Sequence, residues 1–168
     1  MSEQLINLLY LCEDDEKIQN LEKDLDIQRP IMDEEFKEDG YTSVISKKTK
    51  TEIFFSDIQC FDKNIDKNHH CNVIFSCIVL QYKTIIPLPF SLKMNDSLDV
   101  IINKIGKKPN YMNKHFPTKT WHLERDDGKD YLLYALFDKD DYRELIDLTI
   151  STYDDSIDIL NNEHHIRL

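Results

Sequence analysis

From Tyr41 onward the apolar residues of this chain change their spacing, and that change dictates the kind of fold available. Before it, Leu5, Leu8, Leu9 and Cys12 fall at i, i+3, i+4 and i+7, the pattern of one buried helical stripe. Ile18, Leu21 and Leu25 then repeat at i, i+3 and i+7, with Asp14 or Asp15 placed to cap a second helix that ends near Asp26. A loop follows through Pro30. Beyond it, β-branched and aromatic residues crowd Tyr41 to Ile45, Thr51 to Phe55 and Val73 to Tyr82, which read as three strands. Lys47 to Thr51 suits a hairpin tip, and Asp62 to Asn72 a polar loop. The third strand is nearly continuous in apolar residues, so it is expected inside the sheet with both faces covered.

The period then reverts. Leu98, Ile101, Ile102 and Ile105 lie on one helical face, Asn95 or Asp96 can cap its start, and Gly106 can end it in the left-handed position with Pro109 beyond. Trp121 to Glu124 and Tyr131 to Phe137 flank Asp126, Asp127 and Gly128 as a β-hairpin, and Ile146, Leu148 and Ile150 alternate with polar residues as a last strand. The order predicts one α+β domain over residues 1–168, a mainly antiparallel sheet packed by two N-terminal helices and one central helix. The tail from Asp154 to Leu168 reads either as a short final helix or as an end that trails off.

Composition narrows the function classes. Hydrophobic residues make up 40% of the chain, enough for a packed interior. With only Gly40, Gly106 and Gly128 available, phosphate-cradling loops of the usual glycine-rich kind cannot be built. Cys12, Cys60, Cys71 and Cys77 lack the dense spacing of a secreted disulfide scaffold, so a reducing cytoplasm is expected. Neither a secretion signal nor an apolar run of membrane-spanning length is legible. The net charge of −11 is unevenly spread, being −9 over residues 1–40, +6 over 41–125 and −8 over 126–168. Such a chain repels phosphates and suits a basic protein partner, so neither nucleic acid nor a membrane is expected to bind it.

No constellation carries catalysis. His69, His70 and Cys71 are ligand types that zinc accepts, but adjacent strand residues point to opposite faces and no C-x-x-C or H-x-x-x-H pair is present. Asp138, Asp140 and Asp141 begin like a calcium loop, yet the positions needing Gly and Glu hold Arg143 and Thr149. Trp121 is expected in the core. Lys104, Lys107, Lys108, Lys114 and Lys119 are interleaved with Tyr111, His115 and Phe116, a pattern single-stranded nucleic acid could use, but a helix terminus for Lys104 and a solvated loop for the rest explain them better. The expectation is a non-enzyme without cofactor or metal.

Leu88, Pro89, Phe90, Leu92, Asp96, Ser97, Val100, Ile101, Gly106 and Pro109, followed by a hairpin with Trp121 and Gly128 and the strand Leu145 to Ile150, give the chain its outline. That outline resembles immunity proteins encoded beside bacterial polymorphic and contact-dependent toxins. The resemblance implies a protein that binds and neutralises one cognate toxin domain, and it brings no catalytic residues. Charge complementarity with a basic nuclease toxin makes Glu13, Asp14, Asp15, Glu16, Asp33, Glu34, Glu35, Asp138, Asp140 and Asp141 the candidate partner-binding set. The alternative is a general protein-interaction or scaffold module without a toxin-related role. The oligomeric state is left open by the sequence.

Overall fold

The computed structural model describes residues 2–29, 34–60, 71–139, 141–153 and 165–167. Helices α1 (Ser2–Ile6), α2 (Glu16–Leu25) and α3 (Glu34–Asp39) precede strands β1 (Tyr41–Ser46), β2 (Thr51–Asp57) and β3 (Val73–Leu80). Helix α4 (Leu98–Ile105) follows, then β4 (Tyr111–Asn113), β5 (Thr118–Glu124), β6 (Asp130–Phe137), β7 (Leu145–Thr152) and β8 (His165–Arg167). The strands form one eight-stranded sheet in the order β1-β2-β3-β7-β6-β5-β4-β8, and every pairing is antiparallel. The α+β class and the antiparallel sheet are those the period changes dictate.

One core joins the inward residues of α1, α2 and α4 to one face of the sheet. Leu9, Ile18, Leu25 and Ile101 meet Ile53, Phe55, Ile78, Trp121, Leu133 and Ile150, all fully buried. Trp121 lies in this core as expected, and its Nε1–H donates to the Lys107 carbonyl at 2.8 Å, so burying the indole leaves no orphan donor. Asp15 caps α2 by accepting from Lys17 N at 2.8 Å, and Asp26 closes it in the left-handed region.

Helix α4 ends on Gly106 with φ of +75°, as read from the sequence, but its N-cap is Ser97 in place of Asn95 or Asp96. Asp96 is instead turned inward, its Oδ2 accepting from Lys93 N at 2.8 Å and Lys104 Nζ at 2.7 Å. Of the residues expected to pack from this helix, Ile101 is fully buried, whereas Ile102 and Ile105 are half-buried.

The first helix departs most from expectation. Its stripe Leu5, Leu8, Leu9 and Cys12 is buried throughout, yet the helix stops at Ile6. Ile6 and Tyr10 are buried too, a band wider than a surface helix can bury. The reason lies in β3: β7 pairs only with Cys77 to Leu80, leaving the start of β3 open on that side. Tyr10 N donates to the Phe75 carbonyl at 3.0 Å, Phe75 N to that of Leu11 at 2.8 Å and Glu13 N to that of Val73 at 3.2 Å, so the N-terminal segment fills the gap as a ladder. A Cys12–Cys71 disulfide, with Cα atoms 5.9 Å apart, clamps the same place, a bond that the reducing compartment expected from the cysteine spacing would not favour.

Strand β3 lies inside the sheet as expected, but its outer face is not fully covered, since Cys77 and Val79 are partly buried where its inward residues are fully so. In β7 a register shift opposite Leu136 and Phe137 takes Ile146 out of the alternation, so Leu145, Leu148 and Ile150 carry its inward face. Most of the Asp62 to Asn72 loop and of the tail lies outside the described residues, though backbone at His165–Arg167 pairs with β4.

Candidate functional site at the acidic end of the sheet

Antiparallel pairing gives the sheet two ends. At one lie the starts of β1 and β3, the finish of β2 and the β5–β6 turn; at the other lie the β1–β2 and β6–β7 turns. Charge sorts between them. The first end carries Glu13, Asp14, Asp15 and Glu16 beside the start of β3, Asp57 at the finish of β2, and Asp126 and Asp127 in the hairpin turn. Helix α3, ending in Glu38 and Asp39, leads into it through Gly40, whose carbonyl accepts from Asp57 N at 2.8 Å. The second end carries Lys47, Lys48, Lys50 and Lys83, with a β6–β7 turn of mixed charge in which Asp138, Asp141 and Glu144 stand beside Lys139 and Arg143.

The candidate partner-binding residues therefore do not form one patch. Glu13 to Glu16 lie at the first end, and the backbone of Glu34 and Glu35 opens α3. Asp138 and Asp141 lie at the opposite end and are engaged there, Asp138 with Lys139 at 4.0 Å and Asp141 with Arg143 at 2.9 Å. Asp33 and Asp140 lie outside the described residues. The linear charge pattern carries no signal for this division, because only the strand pairing says which turns are neighbours.

The chain holds its acidic end in place from below. The Tyr10 hydroxyl donates to the Asp130 carbonyl and accepts from Tyr153 N at 2.9 Å. Arg125, the cation beside the hairpin turn, is drawn inward, donating to the carbonyls of Leu9 at 2.7 Å and Ile6 at 3.2 Å and pairing with Asp127 at 2.9 Å. Its charge is thus spent on positioning the N-terminal segment, while Asp126 stays exposed.

Glu13 differs from its neighbours. Its Oε2 is buried and finds no hydrogen-bond partner among the described residues. Burial pushes its carboxyl above the ordinary range, and the nearby Arg29 offsets this only in part, being itself bound to Glu22 at 2.8 and 3.1 Å. An ionised group of this kind costs stability unless something cationic reaches it. Such carboxylates are found at functional sites.

Other candidates dissolve on inspection of their surroundings. Cys71 is bonded to Cys12 and so is withdrawn from any metal, His69 and His70 lie outside the described residues, and no His, Cys, Asp and Glu cluster among the described residues is arranged to hold an ion. In the lysine stretch, Lys104 pairs with Asp96, Lys107 donates to the His122 carbonyl at 2.7 Å and Lys119 is buried with its ammonium 4.3 Å from the Tyr142 ring centroid. These lysines serve the fold instead of presenting one basic face. Several residues behind the immunity-protein resemblance are likewise structural: Leu88, Pro89 and Leu92 are buried, Asp96 is paired inward and Gly106 takes the left-handed cap.

Compared with models of known protein families, with curated proteins and with solved structures, the chain matches none. No described helix is long and apolar enough to cross a membrane.

Proposed function

We propose that this protein binds and neutralises a basic toxin domain as an immunity protein, and that the acidic end of the sheet is its contact surface. The observation that carries the reading is Glu13, a partly buried carboxyl whose Oε2 has no hydrogen-bond partner among the described residues, set beside the exposed Asp14 and Glu16 on a segment braced from beneath. A cation docked on the exposed acids beside it would favour its ionised form through space, which favours a cationic partner over solvent. The surrounding acids steer such a partner and disfavour acidic competitors.

The test begins with capture of the partner from the native strain, identified by mass spectrometry, followed by association kinetics against salt. Reversing Asp14 and Glu16 to Lys and replacing Glu13 by Gln should slow association at low salt by roughly tenfold or more and flatten its salt dependence. Asp15 is spared because it caps α2. Reversing Asp138 and Asp141, at the other end, should leave the on-rate unchanged. Equal effects from both sets would show bulk charge at work and reject the acidic end as the contact.

A cytoplasmic site of action belongs to the same reading. There Cys12 and Cys71 would be held as thiols, since disulfides persist in oxidising compartments. Thiol trapping in intact cells should then alkylate both; trapping that leaves the pair unlabelled would place the protein in an oxidising compartment.

A further inference from the structure

Strand β1 is the outermost strand on its side of the sheet. Its sequence, Tyr-Thr-Ser-Val-Ile-Ser, contains no charge, proline or glycine, and its pairing with β2 runs from Tyr41↔Ser56 to Ser46↔Thr51 without a bulge. Proteins ordinarily blunt an edge with one of those devices, because a bare edge templates another strand.

The hydrogen-bond phase fixes which groups face outward. Asp57 N donates to the Gly40 carbonyl, so Gly40 and Asp57 are a bonded pair, and by alternation Thr42, Val44 and Ser46 also bond inward to β2. The amides and carbonyls of Tyr41, Ser43 and Ile45 therefore point away from the sheet, and no backbone hydrogen bond reaches them among the described residues. The side chains of the same residues share the face opposite the helices, where Tyr41 and Ile45 are each 54% exposed.

We infer that β1 is a self-association edge, pairing antiparallel with β1 of a second copy of this chain about a two-fold axis at Ser43. In that register Tyr41 sits opposite Ile45 of the other copy and Ile45 opposite its Tyr41, two aromatic to β-branched cross-strand pairs of a favoured kind. The contact is isologous, each copy offering the same strip. Charge selects this direction of pairing. The acidic end of one sheet comes alongside the basic end of the other, so Glu38 and Asp39, which precede β1, meet Lys47 and Lys48, which follow it, and they do so twice. All four side chains are exposed; among the described residues Lys48 has a 3.9 Å contact to Asp26 as its ion pair. A parallel alignment would set like charges side by side. This inference stands on strand pairing and edge chemistry, independently of any toxin.

Sedimentation equilibrium of the full chain from about 1 μM to about 1 mM should show a reversible species of twice the 20.0 kDa chain mass. Ser43→Pro removes an outward amide that the internal ladder does not use, so it should raise the association midpoint by at least about tenfold while far-UV circular dichroism is unchanged. Ile45→Lys places charge on the edge and should do the same, which keeps the test standing if the proline variant misfolds. Reversing Glu38 and Asp39 to Lys, or Lys47 and Lys48 to Glu, should each weaken association, and combining the two should restore it. A monomer across the whole range, or a dimer indifferent to both edge variants, would overturn the inference. Failure of the combined reversal to restore association would overturn the antiparallel register.

Discussion

Ile101 and Ile102 are neighbours on one helix with unequal burial, and the inequality is measurable. The side chain of Ile101 is fully buried, so Ile101→Ala should cost about 2–5 kcal/mol in urea unfolding. Ile102→Ala should cost less, because Ile102 is only partly buried; equal losses would mean that α4 is rotated about its axis. Glu13 gives a prediction of opposite sign. Its folded carboxyl titrates above the ordinary value, so its favourable contribution is complete below that value and is lost as pH rises through the raised one. Glu13→Gln should therefore raise the melting temperature at neutral pH, with the difference vanishing below the carboxylate range. Under the proposed function the same change should also weaken partner binding, the pattern of a residue kept for contact at a cost in stability. A loss of stability at neutral pH would show that Glu13 is already paired and deny it that role.

At the scale of elements, the N-terminal segment is held by its ladder to β3, the Arg125 bonds and the Cys12–Cys71 bridge. The bridge closes a sequence separation of 59 residues, for which chain entropy gives a stabilisation of about 4 kcal/mol. Thermal unfolding should show a clearly lower midpoint in dithiothreitol than without it, and Cys71→Ser should reproduce the drop without reductant. An unchanged midpoint in both would mean that the ladder suffices. The elements legible from sequence were those with an unambiguous period and a capping residue: α2 with Asp15, α4 with Gly106, and the hairpin of β5 and β6 around Gly128. Helix α3 was not legible because Glu34–Asp39 contains one apolar residue, Phe36, among charges. Strands β4 and β8 are three residues each, too short for alternation to register, and β4 sits inside a lysine-rich run whose composition reads as loop.

Over the whole molecule, the sheet acts as a sorter of charge. Successive turns alternate between its two ends, so a chain with lysines in some connections and acids in others acquires an axis of charge once strands pair. Under the proposed function, association with a basic partner should accordingly depend on orientation. A partner held at the Glu13 end should be cross-linked by zero-length coupling to Asp14 or Glu16 and not to Asp138 or Asp141; coupling to the second pair would move the contact to the lysine end. What the sequence alone determined is the α+β class, the antiparallel sheet, the principal strands and the two capped helices. Those follow from spacing and local backbone chemistry, which act over a few residues. Tertiary structure alone decided where α1 stops, which cysteines meet, which isoleucine of α4 is buried and which acids share a surface. Each depends on residues far apart in the chain, such as Tyr10 with Phe75 or Cys12 with Cys71, brought together only when the open flank of β3 is filled.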